Sequence, residues 1–171
     1  MLEGAIDAVL ADGISRLTFG SLARRLGTSD RVVVYYFPSK DDLVAEVLVS
    51  IGLRLQAQLG PALRRAAVDH LDFARSVWPT LARADSDPIF AVFFEASGLA
   101  AAGVEPYRSL VPVLVDGWVD WAAQSIAGSA ARRRAQATAA VAMLDGLLLM
   151  RQLAGPDSAN RAARAILHPR S

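Results

Sequence analysis

The chain has 171 residues, of which 53% are hydrophobic and 20% are charged, and its formal net charge is +1. The absence of cysteine excludes disulfides and thiolate metal sites, and no uninterrupted run of 18 apolar residues predicts a membrane-spanning helix. The length suffices for one large domain or two small ones. The start lacks the basic segment of a signal peptide, so we expect a cytoplasmic protein with no membrane partner.

Four helices are predicted in the first 60 residues, because apolar residues recur there at spacings of three and four between capping and breaking residues. Their approximate ranges are 2–11, 19–26, 30–36 and 40–59. The predicted N-caps are Thr18, Ser29 and Ser39, and the predicted stops are Gly13, Gly27, Pro38 and Gly60.

The remaining sequence also predicts helices only, since no alternating strand pattern of convincing length is present. The approximate ranges are 62–83, 87–101, 105–127, 129–154 and 157–167. Residues 32–36 have strand propensity, but a capping serine precedes them and a helix-turn-helix spacing surrounds them. The predicted fold class is therefore all-α, beginning with a three-helix helix-turn-helix domain.

Residues 18–36 have the layout of a helix-turn-helix, in which two short capped helices meet through a glycine-containing turn. The second helix of this motif enters the major groove by its N-terminal residues. The predicted DNA contacts are Thr18, Ser29, Asp30, Arg31, Val32, Val33, Tyr35, Tyr36 and Lys40. Arg31 suits a guanine edge or a phosphate and the two valines suit thymine methyls, whereas Thr18, the tyrosines and Lys40 suit phosphates.

Other residues of this segment have different interpretations. Leu26, Val34 and Phe37 are predicted to be core residues only, and Tyr35 fits a core position as well as it fits a phosphate contact. Arg24 and Arg25 fit a solvated helix face. Residues 1–45 contain five basic and six acidic side chains, so the DNA-binding hypothesis depends on the placement of charge and on the motif.

The run Val34-Tyr35-Tyr36-Phe37-Pro38-Ser39-Lys40-Asp41-Asp42-Leu43 resembles the signature of the tetracycline-repressor-like (TetR) family. Together with the stretch from Leu17 to Ser29, the resemblance covers residues 2–50 closely and the rest in outline. The family usually has a small residue where Val32 stands. It also usually has a short, often basic segment before the first helix, whereas this sequence starts almost inside that helix.

The resemblance implies a transcriptional regulator with a DNA-binding domain at 1–45 and a helical effector-binding and dimerisation domain at 46–171. Its partners would be double-stranded operator DNA, a small-molecule effector and a second copy of the chain. The expected activity is that of a repressor, which a small apolar or aromatic effector releases from its operator.

Aromatic residues of the C-terminal region suit a cavity for such an effector, with Glu95 as a group that orients it. The predicted effector contacts are Leu55, Trp78, Phe90, Phe93, Phe94, Glu95, Tyr107, Trp118 and Trp121. Aromatics at helical spacing also commonly fill a core, and a carboxylate such as Glu95, Asp116 or Asp145 also fits an exposed position.

The stretch from Val141 to Leu153 is apolar on nearly every face, which predicts burial on all sides and favours a second subunit as part of the cover. The predicted dimer contacts are Val141, Leu144, Leu148, Arg151 and Ile166. A twofold dimer would also present two recognition helices to successive major grooves.

Two alternatives belong to other classes of protein. An enzyme is disfavoured, because His70 and His168 have no nucleophile motif beside them and the sequence contains no metal-ligand spacing and no glycine-rich phosphate loop. No catalytic residue, metal or cofactor is therefore predicted. The second alternative is a helical ligand-binding or interaction protein that no longer binds DNA.

Overall fold

The structure is a computed structural model that describes residues 1–168, so the last three residues of the predicted C-terminal domain lie outside it. The described residues form nine α-helices and two short 3-10 turns, and their only β feature is an isolated bridge between Ala67 and Ile126. The helices are α1 (Leu2–Asp12), α2 (Phe19–Leu26), α3 (Asp30–Tyr36), α4 (Lys40–Leu59), α5 (His70–Leu81), α6 (Asp87–Ala101), α7 (Tyr107–Gln124), α8 (Ala130–Ala154) and α9 (Pro156–Leu167). The predicted all-α fold is confirmed.

These helices divide into two compact units. The first unit comprises Met1–Leu55 and Ala91–Val113, and the second comprises Gln56–Phe90 and the chain from Leu114 onward. Helices α4, α6 and α7 each contribute residues to both units. The first unit thus contains the predicted helix-turn-helix together with most of α6 and the first part of α7.

In the first unit, two very short helices depend on their surroundings. Helices α2 and α3 have eight and seven residues, whereas isolated helices shorter than about 12 residues are marginal in water. Apolar burial supplies the missing stability, at about 1.5–3 kcal/mol for each large side chain. The side chains buried in this unit include Ile6, Val9, Ile14, Leu17, Leu22, Val33, Phe37, Leu43, Val44 and Val47.

Reciprocal capping bonds fix the beginnings of α2 and α4. Ser21 N donates to Thr18 Oγ1 at 3.0 Å, and Thr18 N donates to Ser21 Oγ at 2.9 Å. At α4, Asp42 N donates to Ser39 Oγ and Ser39 N donates to Asp42 Oδ2, both at 3.1 Å. Each capping box satisfies two backbone groups that a helix N-terminus leaves unpaired, so the predicted caps at Thr18 and Ser39 are confirmed.

In the second unit, α8 packs against α5 and α9, and an ion pair joins its last turn to the beginning of α6. The guanidinium of Arg151 donates to both carboxylate oxygens of Asp87, with 2.9 Å between Nη2 and Oδ2, and the Arg151 side chain is only 5% exposed. Two parallel bonds between a planar fork and a carboxylate fix the geometry of both groups. The beginning of α6 and the last turn of α8 are therefore held together.

The predicted helix at 62–83 is wrong in its first part. A 3-10 turn at Gly60–Ala62 is followed by irregular chain, and α5 begins at His70. The side chain of Asp69 accepts a bond from Asp72 N at 2.8 Å, which makes Asp69 the N-cap. Before it, Ala67 pairs with residues 125–127, so its backbone groups are used outside any helix.

Two helical segments, Lys40–Ala62 and Ala130–Ala154, are long and apolar enough to cross a membrane by length and composition. Less than half of the most apolar stretch of each is buried inside the chain. Core helices of soluble proteins pass the same test. Both segments nevertheless expose apolar surface, and in α8 that surface is uncharged over several turns.

A half-buried carboxyl group on α8 predicts a pH-dependent stability. Burial raises the pKa of Asp145 to about 6. The carboxyl binds its proton more tightly in the folded chain than in the unfolded chain, where its pKa is about 4, so stability falls as the pH rises from about 4 to about 6. We expect Asp145→Asn to remove this loss and to raise the free energy of unfolding at pH 7 by up to about 3 kcal/mol.

Urea unfolding at about pH 4 and pH 7.5 measures this effect. The advantage of the variant should be present at the higher pH and should vanish at the lower one. Asp7→Asn, which changes an exposed carboxylate of α1, is the matched control. A D145N variant that is no more stable at pH 7.5 than D7N would contradict the prediction.

Candidate nucleic-acid interface

The orientation of α3 is set by two apolar side chains four residues apart. Val33 is completely buried and Phe37 is 2% exposed, so one side of the helix faces the core of the first unit. The opposite side presents Arg31, Val32 and the two tyrosines to solvent. Because i and i+4 lie on one helix face, burying Val33 and Phe37 leaves the remaining residues of α3 available to a partner.

Burial corrects three of the interpretations made from sequence and decides between the two alternatives for Tyr35. Val33 has no accessible surface, so it cannot contact a thymine methyl. Tyr35 is 83% exposed, which excludes a core position for it. Val34 and Leu26 were predicted to be core residues, yet they are exposed at 43% and 37%.

The helical period explains Val34, which is adjacent to Val33 and therefore points about 100° away from it. Leu26 lies at the end of α2 against Gly4 of α1, where a Cβ on the glycine would overlap the leucine side chain. Its contact with α1 thus leaves part of it in solvent.

The exposed surface continues across both neighbouring helices. Thr18 and Ser29 stand at the beginnings of α2 and α3 and Lys40 begins α4, and all three are exposed. The Thr18 hydroxyl already serves the capping box, and the Ser29 side chain makes no capping bond. A Cβ on Gly20 would lie 3.6 Å from the Asp30 carboxylate, so Asp30 lies beside the first turn of α2, where negative charge is favourable.

Cations on this surface differ in their partners. Arg25 Nη1 lies 2.8 Å from Asp12 Oδ2, so its charge is partly neutralised by α1. The ion pairs found between described residues include neither Arg31 nor Lys40. Tyr35 and Tyr36 pack edge to face at 5.5 Å between ring centroids, which orders two exposed phenols beside these cations. We name the exposed residues Thr18, Ser29, Asp30, Arg31, Val32, Tyr35, Tyr36 and Lys40 the α3 surface.

Glu95, predicted to orient an effector, bonds to the backbone of the α1–α2 connection. Its carboxylate accepts from Ile14 N at 2.8 Å and from Ser15 N at 3.0 Å. Burial raises the pKa of this carboxyl, but the hydrogen bonds from Ser15 and Ile14 outweigh burial and leave the pKa below its usual value. Both carboxylate oxygens are therefore already used within the first unit.

The other predicted effector residues are distributed over the two units. Those of the first unit are Leu55, Phe93, Phe94 and Tyr107, and those of the second are Trp78, Phe90, Trp118 and Trp121. Of these, Leu55, Phe90 and Tyr107 are buried and the others are half-buried.

Within the second unit, Trp121 contacts two aromatic rings edge to face. Its centroid lies 5.4 Å from that of Trp118 and 6.1 Å from that of Phe73. Phe73 is an addition to the predicted set, since its position in a predicted helix carried no signal beyond hydrophobicity.

A cavity of about 330 Å³ in the first unit contains none of the predicted effector residues. It is lined by Ala8, Asp12, Gly13, Arg16, Leu17, Ser21 and Arg25. Residues 1–168 contain no cluster of three or more His, Asp or Glu side chains arranged to hold a metal ion.

Most of the predicted dimer contacts are covered by the chain itself. Leu144, Leu148 and Arg151 are buried, Val141 is half-buried, and only Ile166 is exposed. The three buried residues therefore offer no surface to a second subunit. Between Val141 and Leu153, the exposed residues of α8 are instead Ala142, Gly146, Leu149, Met150 and Leu153, and we name them the α8 face. Sequence analysis missed this face because α8 is apolar on nearly every side.

The described residues are all-helical, and the first unit presents a capped helix-turn-helix, which is the architecture of helix-turn-helix proteins. Residues 1–47 match the family model of bacterial regulatory proteins of the tetR family. The N-terminal segment is thus similar to the DNA-binding domain of that family, and the described residues share the fold of solved TetR-family regulators.

Solved structures with this fold cover almost the whole chain. A TetR-family transcriptional regulator from Rhodococcus sp. superposes with a TM-score of 0.74 at 19% identity, over 97% of this chain and 93% of that one. A transcriptional regulator from Saccharomonospora viridis in complex with choline has a TM-score of 0.71 at 20% identity, over 98% and 94%. The multidrug binding protein EbrR complexed with imidazole has a TM-score of 0.69 at 23% identity, over 97% and 85%. No curated protein matches the sequence.

Proposed function

We propose that the chain is a transcriptional repressor that binds operator DNA as a homodimer through the α3 surface and is released by a small molecule. The observation that carries the proposal is the exposure of Arg31, Val32, Tyr35 and Tyr36 on a helix whose other side is buried. In a helix-turn-helix this is the helix that enters the major groove. We expect the protein to act in the cytoplasm, without enzymatic activity, cofactor or membrane partner.

The residues of the α3 surface divide into those that read bases and those that position the protein. Arg31 and Val32, in the first turn of α3, are suited to a guanine edge and a thymine methyl. Tyr36 and Lys40 lie at the end of α3 and the beginning of α4, where a hydroxyl and an ammonium suit phosphates. Sequence preference is therefore assigned to Arg31 and Val32, and most of the affinity to the phosphate contacts.

The charge balance of the first 45 residues favours one alternative, a helical ligand-binding or interaction protein without DNA binding. Five basic and six acidic side chains are an unusual count for a DNA-binding domain. Several of the carboxylates nevertheless have partners inside the first unit, among them Asp12 with Arg25 and Glu3 with Arg54. The α3 surface itself contains two cations and one carboxylate, which favours DNA binding.

Gel shifts on the DNA that flanks its own gene test the proposal. We expect affinity for this duplex to fall steeply as salt increases. The double variant Tyr36→Ala with Lys40→Ala should bind about 10- to 100-fold more weakly and reduce the slope of log affinity against log salt by about 2, since one phosphate cation is lost from each subunit of the dimer. Arg64→Ala, which removes one exposed positive charge after α4, is the control.

The outcomes separate the two functions. Equal affinity of the double variant and R64A would show that the α3 surface is not the DNA surface. A wild-type protein that binds no duplex at low salt would favour the alternative function.

The α8 face supports the homodimer. Its five residues recur at helical spacing, carry no charge, and combine two small residues with three large apolar ones. A Cβ on Gly146 would meet nothing within 4 Å, so a second helix has room to approach closely at this point. Exposed apolar patches of this kind commonly mark interfaces.

We expect the wild-type protein to sediment as a dimer, and Leu153→Lys to raise the dimer dissociation constant at least about 100-fold. Leu153 is 79% exposed in the single chain, so the substitution should leave its folding unchanged. Val68→Lys places the same charge on an apolar residue that is 60% exposed but lies outside the α8 face. A monomeric wild-type protein, or a dimeric L153K, would contradict the assignment of this face.

The effector is proposed to bind among the aromatic side chains. The structurally similar regulator from Saccharomonospora viridis was solved with choline, and EbrR is named as a multidrug binding protein. Aromatic rings bind quaternary ammonium groups through cation–π interactions. The edge-to-face group of Phe73, Trp118 and Trp121 provides such rings in the second unit.

Choline is a practical probe because all three tryptophans of the chain belong to the predicted effector set. We expect saturable changes in tryptophan fluorescence on titration with choline, and weaker binding to the duplex at saturation. The uncharged isostere 3,3-dimethyl-1-butanol is the matched control ligand. If choline and this alcohol bind equally well, apolar packing and not a cation–π contact accounts for the binding. Saturable binding of either ligand with unchanged DNA affinity would contradict release by these ligands.

A further inference from the structure

A single carboxylate joins two segments of the first unit that are 80 residues apart in sequence. Glu95, on α6, accepts hydrogen bonds from the consecutive amides of Ile14 and Ser15, in the connection between α1 and α2. The two donors are backbone groups, so the bonds fix the path of the chain rather than the rotamer of a side chain. Bonds from N–H groups to a charged carboxylate are about twice as strong as those between neutral groups.

Gly13, the residue before these amides, leaves space for the carboxylate of Glu95. Gly13 has a φ of +88°, a conformation that side chains rarely adopt. A Cβ at this position would lie 2.8 Å from Oε2 of Glu95, closer than real Cβ contacts allow. The carboxylate therefore occupies the space that the missing side chain leaves.

Only two residues separate the clamped amides from the cap of α2. Ser15 is held by Glu95, and Thr18 is held by its capping box with Ser21. Between them, the Ser21 hydroxyl also donates to the carbonyl oxygen of Arg16 at 3.0 Å. A connection bonded at both ends and in the middle transmits the position of Glu95 to the first turn of α2.

We propose that Glu95 is a positioning residue for DNA binding, which holds the beginning of α2, and with it the α3 surface, in the geometry that fits DNA. This role rests on the DNA-binding function proposed above. It assigns to α6 a direct control over the helix-turn-helix through two backbone bonds, instead of the contact with an effector that the sequence predicted for Glu95.

The charge of Glu95 makes the direction of the change in DNA affinity informative. Glu95 adds a negative charge to a unit that binds a polyanion, so removing that charge should by itself strengthen DNA binding. A positioning role requires the opposite result. Glu46→Gln is the matched control, because it removes the same charge from an exposed residue of α4 in the same unit.

Two measurements on the full-length protein separate the clamp from the function. Amide hydrogen exchange without DNA should be at least about 10-fold faster at Ile14 and Ser15 in Glu95→Gln and Glu95→Ala than in the wild type. Affinity for the duplex, at a temperature where urea curves show each variant to be folded, should fall about 3- to 10-fold in E95Q and further in E95A. E46Q should show wild-type exchange at these amides and equal or tighter DNA binding.

Three other results would contradict the proposal, each in a different way. If the amides of Ile14 and Ser15 exchange at the wild-type rate in E95Q, Glu95 does not hold them. Faster exchange with the DNA affinity of E46Q would leave a structural bond without a positioning role, which overturns the proposal. A wild-type protein that binds no duplex would remove the DNA-binding function, and with it the role proposed for Glu95, whatever the exchange rates are.

A double-mutant cycle tests the contact between Gly13 and Glu95 separately from the loss of the carboxylate. Gly13→Ala introduces both a strained φ and a clash with Glu95, whereas in the E95A background only the strain remains. We expect Gly13→Ala to cost more duplex affinity in the wild type than in E95A. Equal costs in the two backgrounds would contradict the close approach of Glu95 to Gly13 as the cause.

Discussion

The burial of Val33 and Phe37 is the constraint on which the candidate interface depends. Helix α3 has only seven residues, so these two side chains decide both whether it forms and which way it faces. Only the residues of α3 that point away from the core side of Val33 and Phe37 are exposed and can contact DNA. Under the proposed function, stability and recognition therefore fall to different residues of this segment, and we expect substitutions of Val32 or Tyr35 to affect recognition without emptying the core.

Hydrogen bonds complete what apolar burial begins in the first unit. The capping boxes at Thr18 and Ser39 fix where α2 and α4 begin, and Glu95 fixes the connection that leads into α2. The same bonds engage carboxylates of the first unit, since Asp42 serves a cap and Glu95 serves two amides. These carboxylates keep their charge, so the DNA-binding proposal depends on where the exposed charges of the α3 surface lie and not on the net charge of the domain.

Local signals predicted the helix-turn-helix well. Caps and glycine stops act within a few residues, so the sequence alone sufficed to place α2, α3 and the beginning of α4. Val33 and Val34 were interpreted the wrong way round because both are apolar, and a seven-residue helix contains too few apolar positions to define its inner face.

Other features depend on residues that are distant in sequence. The clamp made by Glu95 crosses 80 residues, and the irregular chain before His70 depends on the pairing of Ala67 with residues 125–127. The α8 face was hidden for a different reason. A helix that is apolar all round shows no contrast from which a buried side and an exposed side can be distinguished.

The contact of Leu26 with Gly4 has a consequence for how this domain diversifies. A glycine inside a helix costs about 1 kcal/mol relative to alanine, and here it leaves room for a leucine from the next helix. The two positions therefore share one volume. Among relatives of this chain we expect the sizes of the two residues to vary together. Where position 4 has a side chain, position 26 should have a shorter one. The angle between α1 and α2 would then be conserved even where both residues differ.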